Sequence, residues 1–102
     1  MRKITQEAIR AFTHRKNFKK ANTQVMAHSD GWTGLFLHGN LIAEIENHQL
    51  IINDGGWQSN TTKDRLNGLP HVHIQQKNFQ WYLNGHAWNG EKVNIFEEFD
   101  DE

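Results

Sequence analysis

At 102 residues and 11.9 kDa the chain has material for a single domain, since two cores of half that size would each be marginal. Hydrophobic residues make up 36 % and include four Trp and six Phe, enough for a packed core; the absence of Cys excludes disulfides, thiolate metal sites and cysteine nucleophiles, and no apolar run approaches the roughly 18 residues of a membrane span. The 11 basic and 12 acidic side chains nearly cancel, which excludes both a uniformly acidic mimic of a nucleic-acid surface and a strongly basic coat protein.

Position is more informative than total charge. Residues 1–22 carry Arg2, Lys3, Arg10, Arg15, Lys16, Lys19 and Lys20 against Glu7 alone, whereas residues 91–102 carry Glu91, Glu97, Glu98, Asp100, Asp101 and Glu102 against Lys92. The first ten residues lack the apolar run of a secretory signal, so a soluble, cytosolic protein is expected.

In chain order, residues 5–17 predict a helix with Ala8, Ile9 and Phe12 on one stripe, Thr5 as N-cap, and Ile4 with Ile9 as a hydrophobic staple. From Thr23 short β-branched and aromatic runs begin, separated by turn pairs. Gly39-Asn40 predicts a hairpin that sets Leu37 opposite Ile42 and Phe36 opposite Ala43; Asn47-His48 predicts a second with Ile45 opposite Leu50. That register gathers Phe36, Ala43, Ile45, Leu50 and Ile52 on a core face. It leaves Leu35, Leu37, Ile42 and Ile51 with Glu44 and Glu46 on the other, to be covered in part by the N-terminal helix.

A short helix is predicted over residues 61–67, with Ser59, Asn60 and Thr61 accepting from its first amides, Thr61 and Asp64 as a capping box, Gly68 in a left-handed C-terminal position and Pro70 as terminator. Lys77-Asn78 then predicts a hairpin that places Val72, Ile74, Phe79, Trp81 and Leu83 on one face and sets His73 against Tyr82. Asn84-Gly85 returns the chain through 86–88, and Val93 and Ile95 form a last run before the acidic tail. The order predicts one α+β domain over residues 1–95, with a largely antiparallel sheet of about six or seven short strands, followed by a tail at 96–102.

The string Trp57-x-Ser59-x-Thr61-Thr62-Lys63-x-Arg65-Leu66-Asn67, followed by Gln76-Lys77-x-x-x-Trp81-Tyr82-Leu83-Asn84-Gly85, resembles that of small accessory proteins encoded by bacteriophages and prophages. The resemblance covers roughly residues 4–93. It implies a protein expressed in a bacterial host cytoplasm, of a class that often acts on host machinery, with the acidic tail as an addition to the pattern.

Candidate sites fall in two places. Trp57, Ser59, Thr61, Thr62, Lys63 and Arg65 surround a predicted helix start, where free amides, hydroxyls and two cations could hold a phosphate or carboxylate beside a stacking indole. The same residue types are what any helix start prefers, and Trp57 could equally pack beneath the helix. His71, His73, Gln75, Gln80 and Tyr82 form a polar sheet face suited to wet recognition. His71 and His73 could begin a metal site, but no third ligand follows from spacing, so neither metal nor cofactor is expected. Without Cys, a Walker loop or a dinucleotide-binding glycine pattern, and with Glu44 and Glu46 as an ordinary surface pair, no enzyme is expected.

Three functions remain open. One is an inhibitor of a host defence complex that acts by protein contact, as anti-CRISPR-like proteins do; another is a binding module for single-stranded nucleic acid or a nucleotide at the Thr61 helix start; the third, ranked far behind these, is a metal-dependent enzyme using His71 and His73. The tail, which alternates acidic residues with Phe96 and Phe99, is either a docking segment or a solubilising end.

Overall fold

The computed structural model describes residues 1–96. Among the described residues the architecture is α+β, with helices α1 (Lys3–Thr13) and α2 (Asn60–Leu66) and two antiparallel sheets. Helix α1 precedes strands β1 (Phe18–Lys20), β2 (Thr23–Ala27), β3 (Thr33–Leu37), β4 (Asn40–Glu46) and β5 (Gln49–Ile52). Helix α2 follows, then β6 (Ile74–Lys77), β7 (Gln80–Leu83), β8 (His86–Ala87) and β9 (Val93–Asn94). The larger sheet runs β1-β2-β3-β4-β5-β9 and the smaller β6-β7-β8. The expected α+β antiparallel class holds, with more strands than the turn pairs predicted and a division into two sheets. Of the acidic tail, residues 97–102 lie outside the described residues; Phe96 packs against the core and its ring meets His71 edge-on at 5.8 Å.

Helix α1 is shorter than its pattern predicted, and its ends explain why. Thr5 is not the N-cap: the helix begins two residues earlier behind Arg2, which makes no side-chain cap, and Ile4 lies inside it. At the other end the Lys16 amide donates to the Ala11 carbonyl at 2.8 Å and the Arg15 amide to that of Phe12 at 3.2 Å, with Arg15 at φ 58°. This paired closure through a left-handed residue stops the helix and frees the chain to form β1 from Phe18 onward, which pairs with β2 through Phe18 and Val25.

The β4-β5 hairpin has the expected register, with Ile45 opposite Leu50 across an Asn47-His48 turn whose two residues are both left-handed. The β3-β4 turn lies one residue earlier than expected, which moves the pairing beside it by two. Its turn is His38-Gly39, so Leu37 faces Asn40 and Phe36 faces Leu41; a bulge between Leu35 and Phe36 then brings Leu35 opposite Ala43. The bulge leaves the rest of β3 one residue out of the expected register, which inverts its faces: Leu35 and Leu37 are buried with Ile42, Ala43, Leu50 and Ile52, while Phe36 is only half-buried. The outer face is covered not by α1 but by Trp32, which lies over Gly34, donates its indole N–H to Glu44 at 2.8 Å and meets the Phe36 ring at 6.2 Å.

The second hairpin turns one residue later than predicted, at Asn78-Phe79, so Ile74 faces Leu83, Gln75 faces Tyr82 and Gln76 faces Trp81. His73 therefore does not oppose Tyr82, and Phe79 leaves the apolar face for the hairpin tip. Asn84-Gly85 returns the chain as expected, with Leu83 opposite His86. The Asn67 side chain joins this sheet to α2 by donating to the Ile74 carbonyl at 3.1 Å and accepting from the Ile74 amide at 2.6 Å. Gly68 is not left-handed. A Cβ there would stand 2.6 Å from Ile9 Cγ1 and 3.2 Å from Thr5 Cγ2, so glycine lets the end of α2 approach α1.

Both sheets contribute to one core. Ala8 and Phe12 of α1, Leu66 of α2, Val25, Leu35, Leu50 and Ile52 of the larger sheet, and Ile74, Trp81 and Leu83 of the smaller all pack together.

Candidate functional site

The start of α2 is built by a local relay. Ser59, in extended conformation, is the N-cap: its hydroxyl accepts from the Thr62 amide at 3.1 Å and lies 3.0 Å from the Thr62 hydroxyl, which donates to the Trp57 carbonyl at 3.1 Å. The predicted capping box of Thr61 with Asp64 does not form, because Asp64 turns to α1, where its carboxylate accepts from the Thr5 hydroxyl. The preceding loop is held by side chains acting as turn acceptors: Asn53 Oδ1 takes the Gly55 amide and Asp54 Oδ1 the Gly56 amide at 2.7 Å.

Beside this start lies a cleft of about 440 Å³ lined by Leu37, His38, Asn40, Ile42, Asp54, Gly55, Trp57, Ser59, Thr61 and Thr62. Trp57 does not pack beneath the helix; its side chain is 73 % exposed at the cleft. Gly55 fits only because it has no side chain, since a Cβ would stand 2.9 Å from Ile42 Cγ2, and its φ of +70° disfavours any other residue. Four of the six residues predicted for the anion site, Trp57, Ser59, Thr61 and Thr62, share this wall.

The two predicted cations do not. Lys63 reaches away to Gln76 Oε1 at 2.9 Å. Arg65 is 2 % exposed and points into the interior, where it donates to Thr23 Oγ1 at 3.0 Å, Thr5 Oγ1 at 2.7 Å and Asp64 Oδ2 at 3.2 Å. Burial lowers its pKa below the ordinary arginine value, against the opposing pull of Asp64 and with a smaller push from the Arg2 charge. A different cation, Arg2, approaches the helix start, donating to Thr61 Oγ1 at 3.5 Å, and the carboxylate of Asp54 lines the cleft itself.

Of the second candidate face, Gln75 and Tyr82 stand opposite one another and Gln80 opposes Lys77. Gln80 is already engaged, donating to the carbonyls of Trp81 and Trp88. His71 lies apart from β6, left-handed at φ 64° and packed on Phe96, and His73 is exposed with its backbone held by Asn84. Among the described residues no group of three or more His, Asp or Glu is placed to hold a metal ion, and no helix is long and apolar enough to cross a membrane.

Sequence reasoning missed two features. Asp54 and His38 enter the cleft because a loop and a turn converge there, which no spacing reveals. Arg65 was legible in principle: with Thr62 and Leu66 it falls on the stripe of α2 that is buried.

A protein-family model described as Kyanoviridae Gp96 protein matches residues 1–101. No curated protein and no solved structure matches the chain.

Proposed function

Because the chain belongs to the Kyanoviridae Gp96 protein family, a family of phage proteins, we propose that it is a non-enzymatic accessory protein that works in the bacterial host cytoplasm by protein contact, as an anti-CRISPR-like inhibitor of a host defence complex. The observation that carries this reading is the fate of the cations. Arg65 is committed to the interior and Lys63 to Gln76, while Asp54 brings negative charge to the cleft. A phosphate would meet a carboxylate there, and like charges disfavour binding. Large aromatic side chains are displayed instead, Trp57 at 73 % and Phe79 at 96 % exposure, and such residues are the usual anchors of protein interfaces.

A second reading, a phosphate-bearing nucleotide or single strand stacked on Trp57, is favoured by one contact: the approach of the Arg2 guanidinium to Thr61. One pair of measurements separates the two. Producing the chain in host cells that carry an active CRISPR interference complex should raise the plating efficiency of a targeted phage, and titration of mononucleotides, cyclic dinucleotides and short single strands at low salt should give no binding. Unchanged plating together with nucleotide binding weakened by Arg2→Ala would replace the first reading with the second.

A further inference from the structure

The end of α1 carries more positive charge than the fold uses. A groove of about 520 Å³ there is lined by Glu7, Arg10, Ala11, His14, Lys16 and Asn17. Its carboxylate, Glu7, is already paired with Lys20 at 3.2 Å, whereas Arg10 and Lys16 are exposed and form no ion pair among the described residues. Arg15 and Lys19, next to Lys16 and β1 in the chain, are in the same condition. Two of the last helical carbonyls, those of Ala11 and Phe12, accept the Lys16 and Arg15 amides, which weakens the negative pole of the helix and leaves the cations to set the local field.

The opposite charge is tethered close by. Phe96, the last described residue, and Phe12 of α1 line one cavity of about 190 Å³. From Phe96 the sequence continues with Glu97, Glu98, Phe99, Asp100, Asp101 and Glu102, five carboxylates in six residues. Six residues span up to about 20 Å. Arg10 and His14 each stand two positions from Phe12, a few ångströms along α1, so the groove lies within reach of that segment.

We propose that the basic groove at the end of α1 is the docking site of the chain's own acidic segment, residues 97–102, whose carboxylates lie against Arg10 and Lys16 of the same molecule. The chain itself is the occupant because so short a tether holds its charges at an effective concentration of about millimolar. A free polyanion must displace the segment to enter the groove. Neither Trp57 nor Phe79 takes part, so the docking is independent of the contact with the host.

The native chain has no Cys, so a nitroxide on an Asp101→Cys variant reports the position of the segment through broadening of backbone amide signals. Residues 10–17 should broaden at least about twofold more at about 0.01 M salt than at about 1 M, where charges are screened within a few ångströms. Arg10→Gln combined with Lys16→Gln should abolish that salt dependence without lowering Tm, since both side chains are exposed. Labelled chain mixed with an unlabelled, isotope-enriched copy should leave the signals of the latter sharp. Broadening that ignores salt, persists in the double variant or passes between copies would overturn the proposal.

Discussion

Arg65 in α2 donates from Nη1 to the hydroxyl of Thr5 in α1 at 2.7 Å, across 60 residues of chain. That hydroxyl donates in turn to Asp64, and the guanidinium also reaches Thr23 in β2 at 3.0 Å. One buried cation therefore joins both helices to the larger sheet, with a hydroxyl and a carboxylate completing the relay.

Breaking that relay should be costly. Arg65→Ala removes a buried side chain and leaves the hydroxyls of Thr5 and Thr23 short of a partner, and such losses run to about 2–4 kcal/mol. Arg65→Lys should recover little, because an ammonium lacks the planar fork that serves partners on three elements. Urea denaturation of both variants measures this; a midpoint within error of the wild type would show the relay to be dispensable.

Trp81 is buried in the core, with its ring 6.2 Å from that of Trp88. Trp81→Ala should destabilise the fold by about 3–5 kcal/mol, through lost burial and the cavity left behind. Thermal unfolding followed by circular dichroism will read this as a large fall in Tm or as no cooperative transition at all.

Thr33 is fully buried in β3, and its hydroxyl has no hydrogen-bond partner among the described residues. Thr33→Val keeps the shape and removes an unsatisfied polar group, so stability should rise by about 1 kcal/mol. A fall in the denaturation midpoint would mean that the hydroxyl has a partner after all.

Gly68→Ala tests the contact between the helices. The added methyl meets Ile9 and Thr5 below normal contact distance, and overpacking of this kind costs about 1–3 kcal/mol. Because α2 ends at Leu66, little helix propensity is gained to offset it. A Gly68→Ala variant as stable as the parent would imply that α1 can move outward freely.

The fold class was legible because turn pairs and hydrophobic periodicity report local geometry, and Asn47-His48 shows this at its best. The two one-residue errors share a cause. Each placed a turn by residue preference, at Gly39-Asn40 and Lys77-Asn78, whereas the chain turns at His38-Gly39 and Asn78-Phe79. In the first case burying Leu35 and Leu37 outweighs the turn preference. In the second Phe79 adopts a backbone that no propensity predicts for it. At the candidate site, hydroxyls and the indole were legible because capping is local. The inward stripe of α2 was legible for Arg65 as well, but its partners were not, since they lie 42 and 60 residues away.

That separation also orders events during synthesis. Ribosomes add roughly 5–20 residues per second, so after Thr5 is made about 3–12 s pass before Arg65 follows it. Until then α1 has β1 to β5 to pack on as they emerge, but not the cation that fixes it to α2. Ala8 and Phe12, both fully buried in the finished protein, belong to a helix whose final anchor is among the later parts translated. A nascent chain arrested before residue 65 should thus hold α1 loosely, with amides open to hydrogen exchange that close once α2 is complete.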